Sequence, residues 1–219
     1  MDLSCIVLAG GRGLRLGRNK ALEAIGTQTL VQRTVSSLIF CDTEIIVVTG
    51  PHNTELGLEE FGHVRLVIDA FPGRGPLVGI YTGLLNSRAD KNLVVACDMP
   101  FLNPKLLRYM AEISEGYDAV VPRVERNVEP LHAIYGKECL TQAKYLLDDG
   151  IYSVTELFKR IRVRYVEADE IDRFDPEHLS FFNINNEADL TRAREIEQKE
   201  RLAMAGSDPG GFIPGSSTY

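Results

Sequence analysis

The feature that most constrains this chain is an alternation of short apolar runs with longer stretches of helical spacing. Residues 4–8 (SCIVL), 44–49 (EIIVVT), 65–69 (RLVID) and 92–97 (NLVVAC) are β-rich, and each is followed by glycine or closed by a carboxylate. Between them, Leu30, Val31, Val35, Leu38 and Ile39 fall close to one helical stripe over residues 30–40, and residues 77–85 read as a second helix. Asn103-Pro104 predicts an N-cap with proline in the first turn, opening a helix to about residue 113. Further strands are expected at 119–122, around 130–135 and at 163–166, with helices over 137–147, 154–161 and 187–202. Strands apolar on both faces that alternate with helices make a mostly parallel sheet covered on two sides. The expected fold is therefore α/β, a three-layer, Rossmann-like arrangement with a mostly parallel, mixed central sheet. Ligands of such sheets bind beyond the carboxyl ends of the strands. That rule selects the loops after Leu8, Thr49, Asp69 and Cys97.

The length of 219 residues suits one domain, expected over residues 1–202. Residues 203–219 are rich in glycine, serine and proline and read as a disordered tail. The net charge of −7 argues against non-specific nucleic-acid or membrane binding. Charge is unevenly placed, however: Arg12, Arg15, Arg18 and Lys20 crowd the first twenty residues against Asp2 alone. That cluster points to a small anion rather than a polyanion. Cys5, Cys41, Cys97 and Cys139 form no Cys-x-x-Cys pair, and read as reduced core residues. No apolar run reaches the roughly 18 residues that span a bilayer, and no secretory signal is visible, so a cytoplasmic location is expected.

Three strand-end loops carry the chemistry. In the first, Gly10 and Gly11 let the backbone turn sharply beside a ligand, and successive amides in such a turn cradle phosphate oxygens. Arg15 and Lys20 add full charges, a fork and a mobile point charge. The spacing of Gly10, Gly11, Gly13 and Gly17 fits neither a Walker loop nor a dinucleotide fingerprint. In the second, Asp69 ends a strand, and Gly73-Arg74-Gly75-Pro76-Leu77-Val78-Gly79 leads into a helix whose start is a natural anion site; the alternative is that Asp69 caps a turn. In the third, Asp98 closes the most hydrophobic strand. A lone carboxylate there suits Mg2+, which takes one or two carboxylates and fills its shell with phosphate oxygens and water; the alternative is a cap or turn former.

The run L-A-G-G-x-x-x-R-x-G-x-x-K, here residues 8–20, resembles the opening motif of GT-A-like nucleotidyltransferases. Cys97-Asp98-Met99-Pro100 resembles their C-D-x-P metal element, and within that group the chain is most similar to the molybdenum cofactor guanylyltransferases. The resemblance spans roughly residues 3 to 195. It implies a GT-A-type fold, GTP as donor, molybdopterin as acceptor and Mg2+ as the metal, held by Asp98. It implies catalytic roles for Arg15, Lys20 and Asp98, and a nucleotide site built from Leu8, Ala9, Gly10, Gly11, Lys20, Asp69, Gly75 and Asp98. Asp69 would lie near the guanine or ribose. Glu129-Pro130-Leu131-His132-Ala133 resembles a stretch near the acceptor, where His132 would contact a pterin or its phosphate; a satisfied structural histidine is the alternative. Phe182-Asn183-Ile184-Asn185-Asn186-Glu187 resembles a further family segment, which offers Asn183 and Asn185 to the acceptor, while Asn186 could N-cap the last helix with Asp189 completing the box.

Departures are visible. Gly13 stands where the family has serine, and Leu16 where it has methionine; Asn186 and Ala188 also depart. Relatives that use CTP read L-A-A-G at the first motif, so Gly10 favours guanine. The competing readings are a CTP-dependent or sugar-phosphate nucleotidyltransferase, a non-catalytic GTP-binding subunit, or a purely structural partner. Transient contacts with other cofactor-biosynthesis proteins or acceptor enzymes are a further expectation.

Overall fold

Valine, isoleucine and leucine can fill a strand at every position only when both faces of its sheet are covered. The computed structural model describes residues 3–10, 19–69, 71 and 73–205. Strand β1 (Leu3–Leu8) leads into the glycine-rich loop. A 3-10 turn (Lys20–Leu22) and a hairpin of β2 (Ala24–Ile25) with β3 (Gln28–Thr29) follow it. Helix α1 (Leu30–Leu38) opens on a capping box: the Thr29 hydroxyl accepts from the Gln32 amide, and the Gln32 side chain accepts from the Thr29 amide. Next come β4 (Ile45–Thr49), β5 (Val64–Ile68), α2 (Pro76–Asn86) and β6 (Lys91–Ala96). Helix α3 (Pro104–Glu112) has the expected cap, with the Asn103 side chain accepting from the amides of Lys105 and Leu106.

The second half holds β7 (Ala119–Val124), β8 (Asn127–Val128), β9 (His132–Gly136), α4 (Cys139–Asp148), α5 (Val154–Phe158), β10 (Val163–Glu167), α6 (Ala168–Ile171) and α7 (Glu187–Ala205). Helix α7 passes the boundary expected at residue 202, and residues 206–219 lie outside the described residues.

The sheet order is β10-β7-β9-β6-β1-β4-β5, with β8 beside β7. Parallel pairs join β1 to β4, β1 to β6, β4 to β5 and β7 to β10. Strand β9 runs against both β6 and β7, which makes the sheet mixed but mostly parallel, as expected. From β1 the chain steps outward to β4 and β5, then returns to place β6 on the other side of β1. The order reverses there, so the crevice between the ends of β1 and β6 is the topological switch point.

Alternation along the strands divides the core. Cys5, Val7 and Val95 face α1 and α3, joined by Val35, Leu38 and Leu106. Ile6, Val94 and Tyr135 face α2 and α4, joined by Ile80, Leu84 and Leu146. Helix α2 lies close on the sheet because it carries Gly79 and Gly83: a Cβ at Gly83 would stand 2.5 Å from Ile6 Cγ2. A smaller cluster of Ile25, Leu30, Phe101, Ile184 and Leu190 pins α7 beside the hairpin. That cluster brings the segment before α7 to the crevice.

Candidate active site

Backbone pairing continues past the strand ends and fixes the crevice walls. The Ala9 amide donates to Val48 O at 2.8 Å, and the Cys97 amide to Leu8 O at 3.1 Å. Between these walls lies a cavity of about 470 Å3, of the size that holds small-molecule ligands. Leu8, Ala9, Gly10, Lys20, Asp69, Gly75 and Asp98, all singled out in the sequence, line it. Ala21, Val48, Gly73, Pro76, Gly79, Ala96, Cys97 and Leu131 complete the wall. Gly11 and Arg15 lie outside the described residues.

Lys20 and Asp98 meet across the cavity floor. Asn19 accepts from the Ala21 amide at 3.1 Å and so caps the 3-10 turn that presents Lys20. The Lys20 ammonium donates to Asp98 Oδ2 at 2.7 Å and reaches Asn185 Oδ1 at 3.4 Å. The Asp98 carbonyl accepts from the Ile184 amide at 3.0 Å, which ties the segment before α7 to the tip of β6. Asp98 Oδ1 is buried and has no hydrogen-bond partner among the described residues. An unpartnered buried carboxylate oxygen is costly, and a bound cation removes that cost. Among the described residues no group of three or more His, Cys, Asp or Glu gathers to hold a metal. A cation at Asp98 therefore needs ligand oxygens to complete its shell, the pattern magnesium follows with phosphates. Burial and the neighbouring Asp98 charge push the Cys97 thiol up to about 12, so it is no nucleophile.

The opposite wall is built by the loop before α2. The Asp69 carboxylate accepts from the Phe71 amide at 3.3 Å and the Thr82 hydroxyl at 3.4 Å, so it forms a turn and also lines the cavity. Burial raises its pKa, and these two hydrogen bonds offset only part of the rise. Gly75 has φ 107°, a conformation closed to side chains other than hydrogen, and gives α2 no side-chain cap. Gly75 and Pro76 line the cavity, so the start of α2, where a helix favours an anion, stands at its edge. Arg74 turns away, hydrogen-bonding the Tyr152 hydroxyl with its guanidinium 5.5 Å from that ring.

Residues 5–165 match the MobA-like NTP transferase domain. The chain belongs to that family. A relative from Pelotomaculum thermopropionicum, named as a probable molybdenum cofactor guanylyltransferase, is 37% identical, and the alignment covers 90% of this chain and 94% of that protein. Molybdopterin-guanine dinucleotide biosynthesis protein A from Archaeoglobus fulgidus superposes with a TM-score of 0.77 at 28% identity, covering 90% of this chain and 99% of the other. A Mycobacterium tuberculosis protein solved in complex with manganese shares the fold, with a TM-score of 0.66 at 16% identity over 89% and 99% of the two chains.

The transferase places its expected acceptor residues unequally. Asn185 touches Lys20, while the Asn183 side chain donates to Phe181 O at 3.2 Å, within its own turn. Asn186 accepts from the Asp189 amide, and Asp189 accepts from the amides of Asn185 and Asn186, so the cap reading of Asn186 is realised. The His132 ring is fully buried and is not part of the cavity wall; its neighbour Leu131 is. It packs edge-on against Phe181, with centroids 4.9 Å apart, and neither ring nitrogen has a partner among the described residues. Strand alternation explains this. Residue 132 projects to the α1 and α3 side of the sheet, while the cavity is reached one residue earlier.

Sequence reasoning missed the pairing of Lys20 with Asp98 and the physical reason for glycine at position 79. Lys20 and Asp98 are 78 positions apart, and no local pattern signals such a contact. Gly79 did carry a signal, the second glycine of G-P-L-V-G. A Cβ there would sit 3.3 Å from the Leu8 side chain, so glycine lets the start of α2 approach the end of β1.

Proposed function

We propose that this transferase moves GMP from GTP to molybdopterin, forming molybdopterin guanine dinucleotide and releasing pyrophosphate. The observation that carries the reading is the Lys20–Asp98 pair at the switch point, lining a cavity of nucleotide size, with the second Asp98 oxygen buried and without a partner among the described residues. The names of the relatives supply the base and the acceptor.

In this scheme an acceptor phosphate oxygen attacks the α-phosphorus of GTP in line. The new O–P bond forms as the bond to the bridging oxygen breaks, and that oxygen departs with pyrophosphate. The acceptor is already an anion, so no protein nucleophile is needed, and catalysis is positioning plus charge neutralisation. The amides of Gly10 and Gly11 hold phosphate oxygens, with Arg15 and Lys20 offsetting their charge. Asp69 and the Gly75 turn receive the guanosine. Asn185, one contact from Lys20, orients the acceptor, with Asn183 supporting its loop. Mg2+, when bound through Asp98, neutralises charge developing on the α-phosphate.

No helix among the described residues is long and apolar enough to cross a membrane. We place the reaction in the cytoplasm, with release to other biosynthetic proteins or acceptor enzymes by transient contact. The deciding experiment measures pyrophosphate release with each of the four nucleoside triphosphates, with and without molybdopterin. Release with GTP alone and only with molybdopterin is expected. Release with CTP, or transfer to a sugar phosphate, would replace the donor or the acceptor in this reading. GTP binding without any release would make the chain a non-catalytic subunit.

A further inference from the structure

We infer that the Lys20 ammonium competes with a divalent cation for the Asp98 carboxylate, and that the triphosphate relieves this competition by drawing Lys20 to itself. The inference rests on the reading of Asp98 as the metal carboxylate, and adds an order to the events: metal alone is held off, and metal with nucleotide is admitted.

The ammonium sits 2.7 Å from Asp98 Oδ2, in a pair whose side chains are only 15% and 25% exposed. Partly buried pairs are screened little by salt. Oδ1, buried and without a partner among the described residues, is the oxygen that Lys20 does not hold. A magnesium-like ion bonds carboxylate oxygen at about 2.1 Å, which puts it at most about 7 Å from the ammonium held on the other oxygen of the same group. At that separation in a site of reduced dielectric, the repulsion is several times its value in water. No cluster of acidic residues among the described ones supplies compensating negative charge. The missing charge has to arrive with the ligand, and a triphosphate brings it.

Lys20 is built to move. Its backbone is fixed by the Asn19 cap, but its ammonium stands at the end of a flexible four-carbon stem that itself lines the cavity. Rotation of the stem carries the charge from Asp98 towards phosphate without moving the turn. The same motion ends the 3.4 Å contact with Asn185 Oδ1, which leaves that acceptor free for the second substrate. Lys20 is in this respect a positioning residue as well as a phosphate contact. It makes metal binding, and the release of Asn185, depend on the donor nucleotide.

The test titrates Mn2+ alone into the full-length protein and follows free Mn2+ by electron paramagnetic resonance. The proteins compared are the natural chain, Lys20→Met, Lys20→Gln, Asp98→Asn and the Lys20→Met/Asp98→Asn double variant. Both neutral variants at position 20 are expected to bind Mn2+ at least tenfold more tightly than the natural chain, with the gain lost in the double variant. Equal or weaker binding in both position-20 variants overturns the competition. If Asp98→Asn still weakens Mn2+ binding in that case, the metal reading survives its loss. If Asp98→Asn changes Mn2+ binding in neither background, the metal reading fails, and the competition with it. Thermal melts of each variant identify any that has not folded, and the second neutral variant then carries the comparison.

Discussion

The two oxygens of Asp98 stand in different circumstances, one on Lys20 and one buried without a partner among the described residues. Asp98→Asn keeps the shape but removes the charge that both Lys20 and a cation require. Loss of one electrostatic contact aimed at the reacting phosphate costs on the order of a hundredfold to a thousandfold in turnover. Pyrophosphate release should fall by at least about a hundredfold, with the far-ultraviolet circular dichroism unchanged. Lys20→Met should lower turnover by a comparable factor. A second residue-scale expectation concerns His132. Burial pushes its pKa down from 6.5 to about 3, so the folded chain keeps the ring neutral at any working pH. The unfolded chain takes up that proton as pH falls through about 6.5, and the folded one does not. The destabilisation is therefore absent above about pH 7 and grows as pH falls from 6.5 towards 3, by up to about 1.4 kcal/mol per unit. Urea unfolding of the natural chain and His132→Leu at pH 7.5 and pH 5.0 checks this. The variant should lose about 2 kcal/mol less between the two, since its residue 132 takes up no proton in either state. An equal pH dependence would show the histidine to be paired or hydrated.

At the scale of elements, α2 depends on glycines at three points with three different reasons. Gly75 supplies a backbone conformation, Gly79 a close approach to Leu8, and Gly83 room for Ile6. Alanine at position 83 gains about 1 kcal/mol of helix propensity but drives its Cβ to 2.5 Å from a β-branched side chain in the buried core. Overpacking of that kind costs about 1–3 kcal/mol, so Gly83→Ala should be destabilising on balance, by up to about 2 kcal/mol in a denaturant titration. These elements were largely legible. Apolar runs with a glycine or carboxylate at the end marked β1, β4, β5 and β6, and Asn103-Pro104 marked the start of α3. What could not be read was the direction of β9, because a five-residue apolar strand looks the same in either orientation. The two-residue strands β2, β3 and β8 carry too few positions for a period to show. Helix α6 is a single turn held by a capping box, in which Glu170 also accepts from Arg164 on the preceding strand and from Tyr109 across the fold.

For the molecule as a whole, the site is a consequence of strand order. Each of its loops was visible as a strand end, but which two ends face each other depends on β6 returning beside β1. Hence Lys20 and Asp98 could each be named from the sequence, while their pairing could not. The same topology makes a prediction about stability. A nucleotide seated in the crevice touches the ends of β1 and β6 and the start of α2 together, so it binds only the assembled sheet. Ligand at a hundred times its dissociation constant then adds about 2.7 kcal/mol to the unfolding free energy. For a domain of this size each kcal/mol raises the melting temperature by about 2–4 °C, so saturating GTP with Mg2+ should raise it by about 5–10 °C. GTP with a chelator should give a smaller rise, because the buried Asp98 oxygen then gains no cation and has no partner among the described residues. In Asp98→Asn the difference between the two conditions should vanish while a GTP-dependent rise remains, since the loop after β1 and the wall around Asp69 are intact. Differential scanning fluorimetry of both proteins separates the outcomes. A metal-dependent increment that persists in Asp98→Asn would move the cation to another carboxylate of the cavity, and Asp69 is the one that lines it.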